Sequence, residues 1–126
     1  MLVRRAAFLA ALLGAVAALP PAHAQSPRPD QLAFREIFKE LVETNTTLSA
    51  GSCTLAAERM AARLKAAGYA AADVEVLATA DKPKEGSVTA VLKGSDPKAG
   101  AILLLGHLDV VEARREDWTR DPFTLI

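Results

Sequence analysis

Residues 101–105, AILLL, form an unbroken apolar run that is followed directly by Gly106, His107, Leu108 and Asp109. A short run of branched apolar residues is typical of a strand that is buried on both faces of its sheet. Such a strand needs cover on both sides, because its side chains alternate between the two faces. The run therefore predicts an α/β layered domain in which this strand lies near the centre of the sheet.

Two helices are predicted before the strands. Apolar residues recur at helical spacing from Phe34 to Asn45, and Asp30 is the expected N-cap of this first helix. Its apolar stripe is interpreted as core packing. Residues 54–67 are rich in alanine and long side chains, which favour helix, and Gly68 is placed to end this second helix.

Strand patterns follow the helices. Period-two alternation predicts a first strand over residues 74–79 and a second over 87–94, separated by a turn at 81–86. Residues 95–100 predict another turn before the apolar run at 101–105. Helices that lead into hydrophobic strands favour a mixed sheet flanked by helices.

The N-terminus has the three-part layout of a secretory signal peptide. Arg4 and Arg5 precede the apolar residues 6–19, and Ala24 ends a small-residue cleavage motif. The apolar stretch is shorter than the roughly 20 residues that cross a bilayer. Residues 1–24 are therefore interpreted as a signal peptide rather than a permanent anchor, with export to the periplasm or the extracellular space.

The remaining chain is interpreted as a polar lead-in over residues 25–31 and one domain over 32–126. Without residues 1–24 it has 102 residues, with 13 basic and 15 acidic side chains. This balance gives no basic surface for nucleic acid, and no later stretch is apolar enough for a stable membrane span. Cys53 is the one cysteine of the chain and is interpreted as a small hydrophobic residue on a helix face.

His107 and Asp109 stand at the carboxyl end of the apolar run, where open α/β sheets place their binding sites. Residues two apart in an extended chain point to the same side, so the two side chains should lie together, with Leu108 directed into the core. A carboxylate that accepts the proton of one ring nitrogen leaves the other nitrogen free for a metal. A hydrogen-bonded pair without a metal is the alternative.

Two linked stretches, LLLGHLDVV and DWTRDPF, resemble motifs of a family of co-catalytic zinc metallopeptidases and amidohydrolases. Its members include acetylornithine deacetylase, succinyl-diaminopimelate desuccinylase, aminoacylase and glutamate carboxypeptidase. The resemblance covers residues 30–126 and includes the helix that ends in LKAAGY. It implies the N-terminal part of a zinc-peptidase-like layered domain.

By this resemblance, His107 matches the first zinc ligand, and Asp109 matches the catalytic carboxylate that orients it. The implied cofactor is a pair of zinc ions, with cobalt or manganese as alternatives. The implied reaction is hydrolysis of an amide bond in a peptide or an N-acyl amino acid. The motif that follows the loop is matched by Trp118, Asp121, Pro122 and Phe123. Six charged residues are interpreted as a solvated loop: Glu112, Arg114, Arg115, Glu116, Asp117 and Arg120.

The family's other metal ligands, its general-base glutamate and the smaller domain through which many members form homodimers have no counterpart here. The sequence is therefore interpreted as the N-terminal portion of an exported zinc hydrolase, incomplete at its C-terminus and inactive alone. Two alternatives stay open: a non-catalytic exported α/β binding domain, and an exported zinc aminopeptidase of a related His-x-Asp family. Val110, Val111 and the DPF motif favour the first family over the aminopeptidases.

Overall fold

The computed structural model describes residues 26–126, so the signal peptide predicted at 1–24 lies outside the described residues. Two helices are followed by two strands: α1 (Pro29–Val42), α2 (Cys53–Ala66), β1 (Val74–Thr79) and β2 (Lys82–Ala90). Single turns of 3₁₀ helix lie before β1 and near the C-terminus. This content confirms the mixed α/β class. Among residues 26–126, no helix combines the length and the hydrophobicity that a membrane span requires.

Helix α1 begins at Pro29, inside the predicted polar lead-in, and its N-cap is Arg28 rather than Asp30. Proline is favoured at the first helical position because its fixed φ suits the helix and its missing N–H needs no partner. The Arg28 N–H donates to Gln31 Oε1 at 2.9 Å. Asp30 lies in the first turn, and the hydrogen bond from the Arg28 side chain lowers the pKa of its carboxyl.

The prediction that the apolar stripe of α1 packs in a core is wrong for the described chain. Helix α1 buries no residue, and Phe34 and Phe38 are 66% and 46% exposed. Their rings stack on each other, with centroids 6.3 Å apart. Helix α1 is joined to α2 by polar contacts instead: Arg63 pairs with the Glu40 carboxylate and donates to the Glu36 carbonyl oxygen at 3.2 Å.

Helix α2 confirms the predicted second helix, displaced by one residue. The Ser52 hydroxyl caps its N-terminus by accepting from the Leu55 N–H at 3.1 Å. At the other end Gly68 adopts φ 101°, in the left-handed region that favours glycine, and the Tyr69 N–H reaches the Leu64 carbonyl at 3.1 Å. The helix packs against both strands through small buried residues, Ala56, Ala57 and Ala61.

Strand β1 confirms the prediction over residues 74–79 and pairs with β2 in an antiparallel hairpin. Because Thr79 is paired with Lys82, only two residues form the turn, and the turn predicted at 81–86 is wrong. Pro83 and Gly86 are turn signals in the sequence, but here they lie in β2, against the first turn of α2. The Thr54 hydroxyl donates to the Pro83 carbonyl at 2.7 Å and accepts from the Gly86 N–H at 2.9 Å.

The second strand also ends earlier than predicted, at Ala90 rather than residue 94, and the central strand predicted at 101–105 is not formed. Ile102, Leu103 and Leu105 are 88%, 84% and 91% exposed. Within residues 26–126, the backbone of this segment forms no hydrogen bond to another backbone group. An apolar strand is stable only with neighbouring strands and cover on its faces, and the two-stranded hairpin supplies neither to this segment.

Candidate functional site

A cleft of about 740 Å³ opens between the loop that precedes α2, the β1–β2 hairpin and residues 106–110. Its volume lies in the range of about 300–1,000 Å³ that small-molecule sites occupy. Both residues of the predicted pair line it. The polar and titratable side chains of its wall are Thr46, Thr47, Cys53, Asp81, Lys82, Lys84, Glu85, Ser87, His107 and Asp109.

His107 and Asp109 lie side by side, as predicted, although the backbone between them is not a strand. His107 Nδ1 is 2.9 Å from the Asp109 carbonyl oxygen and 3.3 Å from its carboxylate oxygen Oδ1. Both partners are acceptors, so Nδ1 is the donor in these contacts, and in the tautomer with its one hydrogen on Nδ1 the other nitrogen, Nε2, has a free lone pair. The two side chains are 84% and 73% exposed.

This arrangement fits one ligand of a zinc ion. Metal-binding histidines donate their other ring N–H to a carboxylate or a backbone carbonyl, and Asp109 offers both acceptors to His107. A catalytic zinc usually takes about three protein ligands. Within residues 26–126, no group of three or more His, Cys, Asp or Glu side chains could hold a metal ion. The described residues therefore fit one position of the coordination sphere.

The loop over residues 44–52 forms one wall of the cleft and is closed by its own hydrogen bonds. Asn45 Oδ1 accepts from the Thr47 N–H at 2.9 Å and from the Thr47 hydroxyl at 2.8 Å. The Ser52 N–H donates to the Asn45 carbonyl, and the Gly51 N–H to the Thr47 carbonyl, both at 2.9 Å. Thr44, Thr46 and Thr47 are buried.

Two side chains of this loop hold the segment that contains the His–Asp pair. The Thr46 hydroxyl donates to the Leu108 carbonyl oxygen at 2.7 Å. Ser49 donates twice to Glu112, from its N–H at 3.0 Å and from its hydroxyl at 2.6 Å. Glu112 is exposed, as the sequence predicts, but its carboxylate is bound by Ser49, and these hydrogen bonds lower the pKa of its carboxyl. Leu108 is half-buried.

Cys53 lies at the first position of α2, half-buried, with its thiol 3.8 Å from the Thr46 carbonyl oxygen. Burial raises the pKa of the thiol, and the negative charges of Asp109 and Glu85 raise it further. The thiolate, rather than the thiol, is the form that attacks substrates and binds metals. A small packing residue, as the sequence analysis expected, suits this environment better than a nucleophile.

The second motif forms local turns at the C-terminal end. Asp121 Oδ1 accepts from the Phe123 N–H at 2.9 Å, so its carboxylate closes a turn. The Arg115 guanidinium contacts the Trp118 carbonyl oxygen. The site residues that were not predicted from the sequence are Thr46, Ser49 and Glu112, and the one signal for the first two was a loop rich in hydroxyl side chains.

No protein-family model, curated protein or solved structure matches the chain. What the cleft does must therefore be inferred from its own residues. The chemistry that these residues offer is a histidine with one ring nitrogen engaged and one free, held next to a carboxylate in a cleft of ligand size.

Replacement of Gly51 by alanine is expected to destabilise the chain by about 1–3 kcal/mol, the usual effect of overpacking. A Cβ at this position would lie 2.5 Å from the Thr47 nitrogen and 2.6 Å from the Asn45 carbonyl oxygen, both rigid backbone atoms. Urea denaturation followed by circular dichroism measures the loss. Gly94→Ala is the control, since a Cβ there meets nothing within 4 Å. Equal stability of the two variants would contradict the tight loop.

Proposed function

We propose that this chain supplies the first zinc ligand and its orienting carboxylate in an exported hydrolase that cleaves amide bonds. The ligand is His107 and the carboxylate is Asp109. The observation that carries the proposal is the contact of His107 Nδ1 with Asp109, which leaves Nε2 free at the wall of the cleft. The resemblance of LLLGHLDVV and DWTRDPF to the co-catalytic zinc hydrolases supports it.

Each member of the pair has a distinct task in this proposal. His107 would hold a zinc ion through the ring nitrogen that Asp109 does not engage, together with further ligands that residues 26–126 do not bring to it. A bound zinc pair, or cobalt or manganese in its place, lowers the pKa of a water molecule and polarises the substrate carbonyl. Asp109 keeps the proton on Nδ1, which fixes the ring and makes it a stronger donor to the metal.

Peptides and N-acyl amino acids are the proposed substrate class. The cleft has room for a molecule of dipeptide size, and its hairpin wall carries charges of both signs. Lys82 pairs with Glu85 at 2.8 Å on this wall. Amide substrates that end in a carboxylate carry polar groups that such a wall can contact. Export through the predicted signal peptide would bring the enzyme to such substrates outside the cytoplasm.

A non-catalytic exported domain that binds a small ligand in the same cleft is the second candidate. The size of the cleft favours it equally, since that volume suits ligand binding with or without chemistry. His107 and Asp109 would then be a structural pair. Metal content separates the two candidates. A purified protein that hydrolyses amides and holds zinc that a chelator removes supports the hydrolase. A metal-free protein that binds a ligand supports the binding domain.

Replacement of Asp109 by asparagine is expected to lower the hydrolysis rate or the zinc affinity by about 10–100-fold, the usual effect of losing a partner of a metal-bound histidine. The loss is partial because the Asp109 backbone carbonyl, 2.9 Å from Nδ1, still accepts the ring proton. Rates on dipeptides and metal content are measured in the enzyme that contains this chain together with its other ligands. Asp117→Asn, in the charged loop, is the control. An unchanged rate for Asp109→Asn would contradict its orienting role.

A further inference from the structure

We infer that Thr46 and Ser49 are positioning residues for His107, because they hold the segment that carries the His–Asp pair at two points, Leu108 and Glu112. Their value for catalysis rests on the proposed zinc site, but the positioning itself does not. Thr46 binds the Leu108 carbonyl, between the two residues of the pair, and Ser49 binds Glu112. In sequence the partners are 62 and 63 residues apart.

Side-chain hydrogen bonds are the means by which this segment is fixed. Residues 106–112 belong to no helix or strand. Within residues 26–126, their backbone groups form no hydrogen bond to other backbone groups. A segment without a backbone ladder samples many conformations unless other contacts restrain it. Thr46 and Ser49 supply three hydrogen bonds to it. One goes to the Leu108 carbonyl oxygen, and the other two go to the two carboxylate oxygens of Glu112.

The Thr46 bond acts directly on the contact between His107 and Asp109. The Leu108 carbonyl belongs to the peptide group that joins Leu108 to Asp109, so fixing its oxygen restrains the rotation of that peptide plane. The Asp109 carbonyl and carboxylate that face Nδ1 both follow this peptide group. Loss of the Thr46 bond therefore frees the backbone angles that bring the two acceptors to the ring.

The loop can serve as an anchor because it is itself held by burial and hydrogen bonds. Thr46 is 4% exposed, and its own carbonyl oxygen faces the Cys53 thiol. At the base of the loop, the Thr44 hydroxyl donates to the Glu40 carbonyl and accepts from the Arg59 guanidinium, each at 2.5 Å. The loop is thus tied to both helices before it meets the 106–112 segment, and its hydroxyls are already in place.

The test measures the chemical shifts of the two His107 ring nitrogens by nitrogen-15 nuclear magnetic resonance. The full chain is used, at an alkaline pH where imidazole is neutral. Comparison with His107→Ala assigns the signals. The intact protein should show two well-separated ring-nitrogen shifts, with the proton on Nδ1. In the double variant Thr46→Val, Ser49→Ala the two shifts should converge as the tautomers mix. Thr46→Ser keeps the hydroxyl and should retain the original shifts, as should the control Thr119→Val on the exposed surface.

Amide signals of α2 and of the hairpin report whether the variants stay folded. Unchanged ring shifts of His107 in a folded double variant would overturn the positioning role. The role would also be overturned if the His107 shifts of Thr46→Ser converged as they do in the double variant. If the double variant unfolds, Thr46→Val alone takes its place, because it removes the hydroxyl that binds the Leu108 carbonyl and keeps the hydrogen bonds of Ser49 to Glu112. Tautomer mixing there supports the role, and unchanged shifts overturn it. The readout uses no metal or substrate, so failure of the zinc proposal would leave this result unaffected.

Discussion

Replacement of His107 by alanine is expected to remove zinc from one of the two proposed sites and to nearly abolish amide hydrolysis. The imidazole is the group that would contact the metal, whereas Asp109 acts through it. Loss of a partner behind a metal-bound histidine costs about 10–100-fold in activity or affinity, so loss of the ligand itself should cost more than about a hundredfold. The test requires a protein that joins this chain to the remaining ligands of the proposed site.

Metal analysis and initial rates on a panel of dipeptides and N-acyl amino acids measure the effect. Val111→Ala is a matched control, since Val111 lies in the same segment and its side chain is 87% exposed. The control should keep both the zinc and the rate. Full zinc content and full rate in His107→Ala would show that the histidine is not a ligand and would overturn the proposed site.

Elements that depend on local signals were predictable from the sequence. Helix α2 has its N-cap in Ser52, its stop in Gly68 and strong helix formers between them, and all of these act within a few residues. Strand β1 lies at the residues predicted for it, 74–79. The contact between His107 and Asp109 was also predicted correctly, because residues two apart in extended backbone share a side whether or not a sheet forms.

Features that depend on distant partners were not predictable. The run over residues 101–105 has the composition of a central strand, but composition does not supply the neighbouring strands, and in the described chain its leucines stay exposed. The apolar stripe of α1 likewise suggests a core helix, but among residues 26–126 the helix buries none of its residues. An exposed apolar segment with a free backbone is also a template for pairing with other chains, so it favours aggregation.

The residues that hold the candidate site in place also depend on distant partners and were not predictable. Thr46 and Ser49 contact residues more than sixty positions away, and nothing in either stretch alone marks the pairing. Glu112 stands in a stretch with acidic and basic neighbours, which is typical of a solvated loop, and only the fold brings Ser49 to its carboxylate. Sequence patterns thus located the pair that carries the proposed chemistry but not the residues that hold it.

Residues 25–126 on their own are expected to show no amidase or peptidase activity with added zinc, and to bind zinc no more tightly than a surface histidine does. A catalytic zinc needs about three protein ligands, and the described part of the chain brings no three metal-binding side chains together. Asp109 is already engaged with Nδ1 of His107, and burial raises the pKa of the Cys53 thiol, which disfavours the thiolate that binds metals. His107 is left as a single ligand.

Isothermal calorimetry with zinc chloride, and the same panel of dipeptides and N-acyl amino acids, test this expectation, with His107→Ala as the matched control. Weak binding that the alanine variant reduces further would agree with a single exposed imidazole. Tight stoichiometric binding, with turnover that His107→Ala eliminates, would mean that these residues build a complete metal site by a rearrangement that the described structure does not contain. Such a site would need at least two more ligands near Nε2, and Asp81 and Glu85, which line the same cleft, would be the first carboxylates to replace.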